Sequence, residues 1–284
     1  MNERIAQFGE RRRLTGTLSL PEGRAHDVGF VLLNAGVISR VGPQRLNVTL
    51  ARALARAGYA ALRFDLSGLG ESRAAPDSAG FEQQAIADTR EAISLMMREC
   101  GVSQCVLFGL CSGADNGFAT ALTDPRVCGL LLLDPYAYPT LISHLRAFRL
   151  RLRQPGAATA LWRTFASVIR RLAARSVRAN DHELATDDQR TAPTRQVFAQ
   201  QLCTLLDRGV AIYLMYSGSL ARHYNSPTQF EAVFGRPIAS RLDAEFQPQS
   251  NHTRTELSVQ QALVERVIDW ARRKFAARGT GGAD

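Results

Sequence analysis

Lysine is almost absent from this chain. Lys274 is the only lysine, so the 35 basic residues are nearly all arginine, and 26 acidic residues leave a formal net charge of +9. An excess of arginine over lysine is typical of proteins from GC-rich genomes, and only a localised positive field attracts an anionic partner. Because the sequence also contains no recognised nucleic-acid-binding motif, we predict no nucleic-acid partner.

Paired cysteines and long apolar runs are also missing. The five cysteines form no CxxC pair and are odd in number, which argues against a zinc site or a disulfide framework and indicates a reducing compartment. We predict neither a metal ion nor a cofactor. The first residues, MNERIAQFGERRRL, lack the apolar core of a signal peptide, and no segment approaches the roughly 20 apolar residues of a membrane span. We therefore expect a cytoplasmic protein without a membrane span.

Short apolar runs alternate with helical patterns along most of the chain. The runs are continuous, as in strands buried on both faces, and between them apolar residues recur at helical spacing. Strands are predicted at 27–34, 59–64, 104–108, 127–133, 211–216 and 242–246, and helices at 44–57, 81–98, 112–122 and 255–275. A weakly alternating segment, 12–20, is predicted to be an outer antiparallel strand. This order predicts an α/β fold with a doubly wound, mostly parallel sheet.

The alternation is interrupted once. Between residues 136 and 207 the sequence contains several helical patterns and no strand pattern, which indicates a helical cap inserted into the sheet domain. We therefore assign residues 1–135 and 208–275 to the core, 136–207 to the cap and 276–284 to a disordered tail.

A buried strand runs directly into a helix at Gly109-Leu110-Cys111-Ser112-Gly113. This is the context of the G-x-S-x-G nucleophile elbow, whose central residue has a strained backbone and whose glycines avoid collisions with neighbouring segments. Centring the motif on Cys111 places glycine at both of these positions, whereas centring it on Ser112 places larger residues there. The register therefore favours Cys111 as the nucleophile.

A cysteine at the start of a helix is suited to nucleophilic chemistry. The positive end of the helix dipole stabilises a thiolate, and a neighbouring imidazolium adds to this stabilisation. The alternative is that Cys111 is merely a small buried residue, as cysteines outside disulfides usually are. The two glycines and the strand-helix context favour the nucleophile.

Three motifs in order resemble those of the α/β-hydrolases over nearly the whole chain. Besides the elbow, Asn34-Ala35-Gly36 follows the first buried strand where relatives carry His-Gly, and residues 64–72, FDLSGLGES, are similar to their D-x-x-G-x-G-x-S turn. The elbow cysteine is similar to that of dienelactone hydrolases, and the segments GLCSGADN and LLDPYAY resemble bacterial hydrolases that accompany exosortase systems. The resemblance implies an α/β-hydrolase fold with an inserted cap and an enzyme of acyl-transfer chemistry.

The resemblance also implies where a catalytic histidine and its acid should lie. The chain order in this fold is nucleophile, acid, histidine, and His252 lies in the loop after the last predicted strand. Among the other histidines, His223 is the main rival. The usual acid position, after the strand at 211–216, has no Asp or Glu until Glu231.

Asp134, at the end of the preceding strand, is the best substitute for this acid, since some relatives orient the histidine from that strand. The alternative is that Asp134 caps a helix or turn before Pro135. A missing acid is tolerable with cysteine, because a thiolate-imidazolium pair depends less on a third group. We expect Asp65 and Asp115 to be structural and to hold loops near the elbow.

The oxyanion hole is expected to consist of two backbone N–H groups. One belongs to Ser112, which follows the nucleophile, and the other to the Ala35-Gly36-Val37 turn. We assign the second donor to Gly36, although either of its neighbours in the turn is an alternative.

Arginine is concentrated in the cap. Residues 146–178 contain nine arginines and no acid, and a run of this kind is usually a solvated helix face. The functional alternative is a dock for CoA or for an acidic acyl carrier protein, to which we assign Arg146, Arg149 and Arg153.

These residues together predict an ester or thioester hydrolase that acts on a small acyl substrate through an acyl-cysteine intermediate. One alternative is an acyl or aminoacyl transferase between carrier-protein or CoA thiols, since thioester exchange is nearly isoenergetic. The other is a non-catalytic binding protein, which the missing acid after 211–216 would support. The acyl group, the acceptor and the oligomeric state are not indicated by the sequence.

Overall fold

One mixed sheet organises the part of the chain that the computed structural model describes, residues 1–75, 80–152 and 192–275. Its eight strands lie in the order β1-β2-β4-β3-β5-β6-β7-β8. The strands are β1 (Asn2–Phe8), β2 (Leu14–Leu20), β3 (Val28–Leu32), β4 (Ala61–Phe64), β5 (Gln104–Leu110), β6 (Val127–Leu133), β7 (Ala211–Ser217) and β8 (Asp243–Gln247).

The strands from β4 to β8 pair in parallel, while β1 and β2 add two antiparallel strands at one edge. Parallel strands need crossover connections, and the helices supply them. They are α1 (Leu46–Arg56), α2 (Phe81–Cys100), α3 (Ser112–Thr123), α4 (Leu141–Leu152), α5 (Arg195–Asp207), α6 (Gln229–Phe234), α7 (Arg236–Ala239) and α8 (Leu257–Phe275). The prediction of a mostly parallel sheet is confirmed.

Helices cover both faces of the sheet, which explains the continuous apolar runs. Successive strand residues point to opposite faces, so Phe108 packs with α1 and α8, whereas Leu107 packs with α2, α3 and α5. Trp270 of α8 and Phe198 of α5 are fully buried in these two layers. Burying such a side chain stabilises the fold by about 1.5–3 kcal/mol. The two layers confirm the doubly wound arrangement.

The antiparallel strand predicted at 12–20 is confirmed as β2, but its outer position is wrong, because β1, which was not predicted, lies outside it. β1 pairs along the whole of β2 and takes the edge position. Its sequence, NERIAQF, buries only Phe8, so it lacks the apolar pattern by which the other strands were found. An edge strand with polar and charged residues is nevertheless a common protection against further pairing. The short helices α6 and α7 were not predicted either.

The cap assignment remains a prediction. α4 and α5 lie within residues 136–207, but residues 153–191 and the predicted tail 276–284 lie outside the described residues. Within the described ranges, no helix combines the length and the apolar character that a membrane crossing requires.

The carboxyl ends of β5, β6 and β7 lie next to one another. The Cys111 N–H, just after β5, donates to the Leu133 carbonyl of β6 at 3.0 Å, and the Asp134 N–H, just after β6, donates to the Met215 carbonyl of β7 at 2.8 Å. Ligands of open α/β sheets bind outside the carboxyl ends of their strands. A functional site is therefore expected at the carboxyl ends of these strands.

Candidate active site

Cys111 occupies a strained turn between β5 and α3. Its backbone has φ 55° and ψ −121°, a conformation that non-glycine residues rarely adopt and that clusters at functional sites. A side chain on Gly109 would collide with the Gly113 carbonyl group, and one on Gly113 would collide with the Asn34 carbonyl oxygen. The close packing explains both glycines and places Cys111 at the centre of the elbow.

Asp134 is a fully buried carboxylate directly after β6. Its Oδ1 accepts the Ser217 N–H at 2.6 Å, and its Oδ2 accepts the Ser217 hydroxyl at 2.8 Å. His252 Nδ1 lies 2.7 Å from the same Oδ2. Buried carboxylates need such donors to remain charged, and the alternative of a cap before Pro135 does not account for these bonds.

His252 connects Asp134 to Cys111. Its ring hydrogen-bonds to both side chains, and together they raise the pKa of His252 to about 10, Asp134 more strongly than Cys111. Because Nδ1 faces Asp134, Nε2 is the nitrogen left for the thiol. The backbone N–H of His252 donates to the Ser219 hydroxyl at 2.9 Å, which fixes the loop after β8 against the end of β7.

The rival histidine lies elsewhere. His223 is exposed and lines a cavity of about 770 Å³ with Leu141, Leu145 and Phe148 of α4. The structure therefore brings together Cys111 and His252 but not Cys111 and His223. The catalytic roles of these residues remain predictions.

Arg254 holds the loop that carries His252. Its side chain is buried, and Nη1 donates to Gln247 Oε1 at 2.5 Å and to the Ser250 hydroxyl at 2.7 Å. Burial lowers the pKa of this guanidinium. The Arg254 carbonyl accepts a bond of 2.9 Å from Gln260 of α8, which ties the loop to the following helix.

The turn after β3 is fixed by Asn34, at the position where the related hydrolases carry histidine. Asn34 Oδ1 accepts the Leu66 N–H at 2.9 Å, and its Nδ2 donates to the Ile38 carbonyl at 2.7 Å. Asp65 anchors the same turn through Arg40 Nη1 at 2.6 Å, a structural role of the predicted kind.

Gly36, the expected oxyanion donor in this turn, has a partner. Its N–H donates to the Ser112 hydroxyl at 2.8 Å. Ser112 is the first residue of α3, and its side chain thus spans the gap between the two elements that were expected to supply backbone donors.

Sequence reasoning missed three residues around the site: Ser217, Ser219 and Arg254. Ser217 ends β7, where an acid was expected, and it supplies the two donors that hold Asp134. The absence of an acid at this strand end was the signal, because the carboxylate then has to come from the neighbouring strand. Nothing in the sequence marks Arg254 as buried, since arginine is mostly exposed.

The predicted docking arginines are only partly covered by the structure. Arg146 and Arg149 are exposed on α4, and Arg153 lies outside the described residues. Over the described ranges, no three His, Cys, Asp or Glu side chains are grouped so that they would hold a metal ion.

Comparisons with known proteins agree on the fold. A sequence profile described as the alpha/beta hydrolase family matches residues 31–266. Curated protein sequences give no match. The Pyrococcus furiosus esterase Pf2001 is similar with a TM-score of 0.62 and 13% identity, over 96% of this chain and 92% of that one.

Two further structures illustrate how far the likeness extends. GrgF, an alpha/beta hydrolase from Penicillium sp. sh18, aligns with a TM-score of 0.58 and 14% identity, over 97% of this chain and 100% of its own. XC6422 from Xanthomonas campestris, described as an α/β serine hydrolase without lid, aligns with a TM-score of 0.52 and 13% identity, over 92% and 88%. At such identities the likeness shows the fold alone. Since the family profile spans most of the sequence, this chain belongs to the alpha/beta hydrolase family and is an enzyme of that class.

Proposed function

We propose that this enzyme hydrolyses an ester or thioester through a covalent acyl intermediate on Cys111. The hydrogen-bonded series Cys111–His252–Asp134 carries the proposal. It combines a nucleophile on a strained turn, a base within reach of it and a buried carboxylate that orients the base, which is the arrangement of an activated nucleophile.

Acylation begins with a thiolate and an imidazolium. A pKa of about 10 keeps His252 protonated at neutral pH, and Cys111 reacts as the thiolate, which is the nucleophilic form of cysteine. The Cys111 sulfur attacks the acyl carbon, and the electron pair of the carbonyl moves onto its oxygen. When the tetrahedral intermediate collapses, His252 gives its proton to the departing alkoxide or thiolate. The Cys111 sulfur remains bonded to the acyl group.

In deacylation the same imidazole has to accept a proton instead of donating one. Once Cys111 is acylated it carries no negative charge, so one of the two causes that raise the pKa of His252 is removed. The imidazole has also just lost its proton to the leaving group. His252 therefore acts as the general base that takes and keeps a proton from water, whose oxygen attacks the acyl carbon. The carbon–sulfur bond breaks, the carboxylic acid leaves, and the Cys111 thiolate and the imidazolium are restored.

Asp134 acts on the imidazole rather than on the substrate. Its bond to Nδ1 fixes the tautomer and the ring orientation, and the two Ser217 donors hold the carboxylate still. The absence of an acid after β7 was the main support for a catalytically silent protein. Asp134 answers that argument, because it offers a carboxylate to the histidine from the neighbouring strand.

Transfer to a second thiol is the other candidate reaction. Arg146 and Arg149 are exposed on α4, the helix that lines the cavity next to His223. Guanidinium groups bind phosphates well, and this favours a CoA or phosphopantetheine thioester as acyl donor or acceptor. The chemistry at Cys111 would be the same, with a thiol in place of water.

The proposal is tested by steady-state hydrolysis of nitrophenyl esters and acyl-CoA thioesters of several chain lengths. We expect turnover by the wild type, a loss of at least about 1000-fold in Cys111→Ala, and unchanged rates in the control Cys100→Ala, at the end of α2. Undiminished turnover by Cys111→Ala, or no turnover of any substrate by the folded wild type, would overturn the proposal. Product that appears only after a thiol is added would favour transfer.

A further inference from the structure

We propose that the Ser112 hydroxyl is itself a donor of the oxyanion hole, relaying the Gly36 N–H to the substrate. This rests on the proposed acyl-cysteine chemistry and adds a catalytic side chain to it. The observation is the bond of 2.8 Å from the Gly36 N–H to Ser112 Oγ. The sequence predicts that the Gly36 N–H donates directly to the oxyanion, but in the structure it donates to the Ser112 hydroxyl.

A serine hydroxyl has one proton to donate and two lone pairs that accept. Here a lone pair is used by the Gly36 N–H, and over the described residues the Ser112 hydroxyl donates to no acceptor. Its proton is therefore available to an incoming oxygen. Accepting the amide bond polarises the O–H group and makes it a better donor.

The position of Ser112 suits a developing negative charge. It directly follows Cys111 and is the first residue of α3, and both side chains are partly exposed whereas Gly113 and Ala114 are buried. The positive end of the helix dipole favours an anion at this point. A hydrogen bond from the hydroxyl to an oxyanion would be charge-assisted and about twice as strong as a neutral one.

Gly36, which donates to Ser112, lies in an exposed turn that hydrogen bonds hold in place. Gly36 is exposed and has φ +56°, and no described residue has an atom within 4 Å of the position where its side chain would start. Its turn is fixed by the bonds of Asn34 to Leu66 and Ile38. Because the Gly36 N–H points at the Ser112 hydroxyl, an oxygen that approaches along this N–H meets the hydroxyl first.

The competing interpretation is that the hydroxyl merely blocks the Gly36 N–H and rotates away when substrate binds. The two interpretations predict opposite effects of removing the hydroxyl. A relaying hydroxyl speeds acylation, so its loss slows the enzyme; a blocking hydroxyl slows acylation, so its loss leaves the rate unchanged or increases it.

The test compares Ser112→Ala with Ser112→Thr, which keeps the hydroxyl. Single-turnover acylation of Cys111 by a thioester is measured by quenched intact mass, together with inhibition by an aliphatic trifluoromethyl ketone, whose adduct with the thiol places an oxyanion in the hole. We expect Ser112→Ala to acylate about 100-fold more slowly and to bind the ketone more weakly by a similar factor, which is the lower end of the range for loss of one oxyanion donor. Ser112→Thr should stay within about threefold of the wild type.

Equal or faster acylation by Ser112→Ala would overturn the relay. So would equal losses in both variants, because the effect would then come from packing and not from the hydroxyl. If the wild type forms no acyl adduct on Cys111, the proposed function fails together with this inference; an adduct with unchanged Ser112→Ala kinetics removes the inference alone. Circular dichroism melts of each variant control for folding.

Discussion

The Asp134 carboxylate lies 2.7 Å from Nδ1 of His252, although 118 positions separate the two residues in the chain. Parallel pairing of β6, β7 and β8 brings them together, since Asp134 follows β6 and the loop of His252 follows β8. Ser217, at the end of the intervening β7, donates to the carboxylate and bridges the gap. The acid therefore follows β6 instead of β7, where it is usually found in this fold, and it still contacts the histidine.

Replacing Asp134 with asparagine should slow the enzyme without stopping it. The amide weakens the hydrogen bond that contributes most to the raised pKa of His252 and removes the charge of Asp134, which contributes less, and the ring loses its fixed orientation. Because a cysteine nucleophile depends less on the acid than serine does, we expect a fall in kcat/KM of about 10- to 100-fold, against about 10⁴ for a serine triad. Rates on a thioester measure this.

The matched control is Asp207→Asn, which alters an exposed carboxylate at the end of α5 paired with Arg241. It should leave kcat/KM unchanged. A loss of activity in Asp134→Asn no larger than that of the control would show that the carboxylate does not act on His252.

The raised pKa of His252 also predicts how stability depends on pH. An imidazole whose pKa rises on folding, here from 6.5 to about 10, stabilises the folded state fully below pH 6.5 and loses this contribution as pH rises through about 10. The difference in free energy of unfolding between wild type and His252→Gln should therefore shrink between these pH values. Urea titrations at pH 6, 8 and 10 measure it; a difference that grows with pH would contradict the assignment.

Gly109→Ala should destabilise the protein strongly. A methyl group at Gly109 would meet the Gly113 carbonyl group in the first turn of α3, and because that obstacle is backbone, the elbow itself must move. We expect a loss of about 3 kcal/mol or more in urea unfolding. Gly80→Ala is the control, since no atom of the described residues lies within 4 Å of the position of its added methyl group. Equal stabilities of the two variants would show that the elbow is not packed in this way.

Arg254→Met should impair activity more than folding. Methionine has a similar length and removes the cost of burying a guanidinium group, while Gln247 and Ser250 lose the donor that holds the His252 loop. We expect kcat to fall about tenfold and iodoacetamide to label Cys111 more slowly at neutral pH, because a displaced imidazole no longer reaches the Cys111 side chain to activate it. Unchanged labelling together with unchanged kcat would remove Arg254 from this role.

Much of the fold was predictable because the parallel strands are buried on both faces and therefore stand out as apolar runs. The strand at Val127–Leu133, for example, has the bounds that the sequence predicts. β1 was not predicted because it contains no apolar run: apart from Ile5, its exposed side chains are polar. Burial of both faces is the signal that sequence reasoning detects.

The elbow and the contact between Asp134 and His252 follow from chain order and strand ends, which the sequence carries. The bond between Gly36 and Ser112 depends on a side-chain rotamer, and the burial of Arg254 depends on how a loop folds back on β8. Neither leaves a pattern in the residue order. Interactions of single side chains between loops were therefore beyond prediction.

The most direct test of the central claim is to find the acyl group on the protein. Wild-type enzyme is mixed with an acyl thioester, quenched in acid within the first turnover, and examined by intact mass and peptide mapping. The account predicts one acyl group per chain, on Cys111, and none in Cys111→Ala. An acyl group on Ser112, or hydrolysis by wild type with no adduct at any quench time, would contradict it.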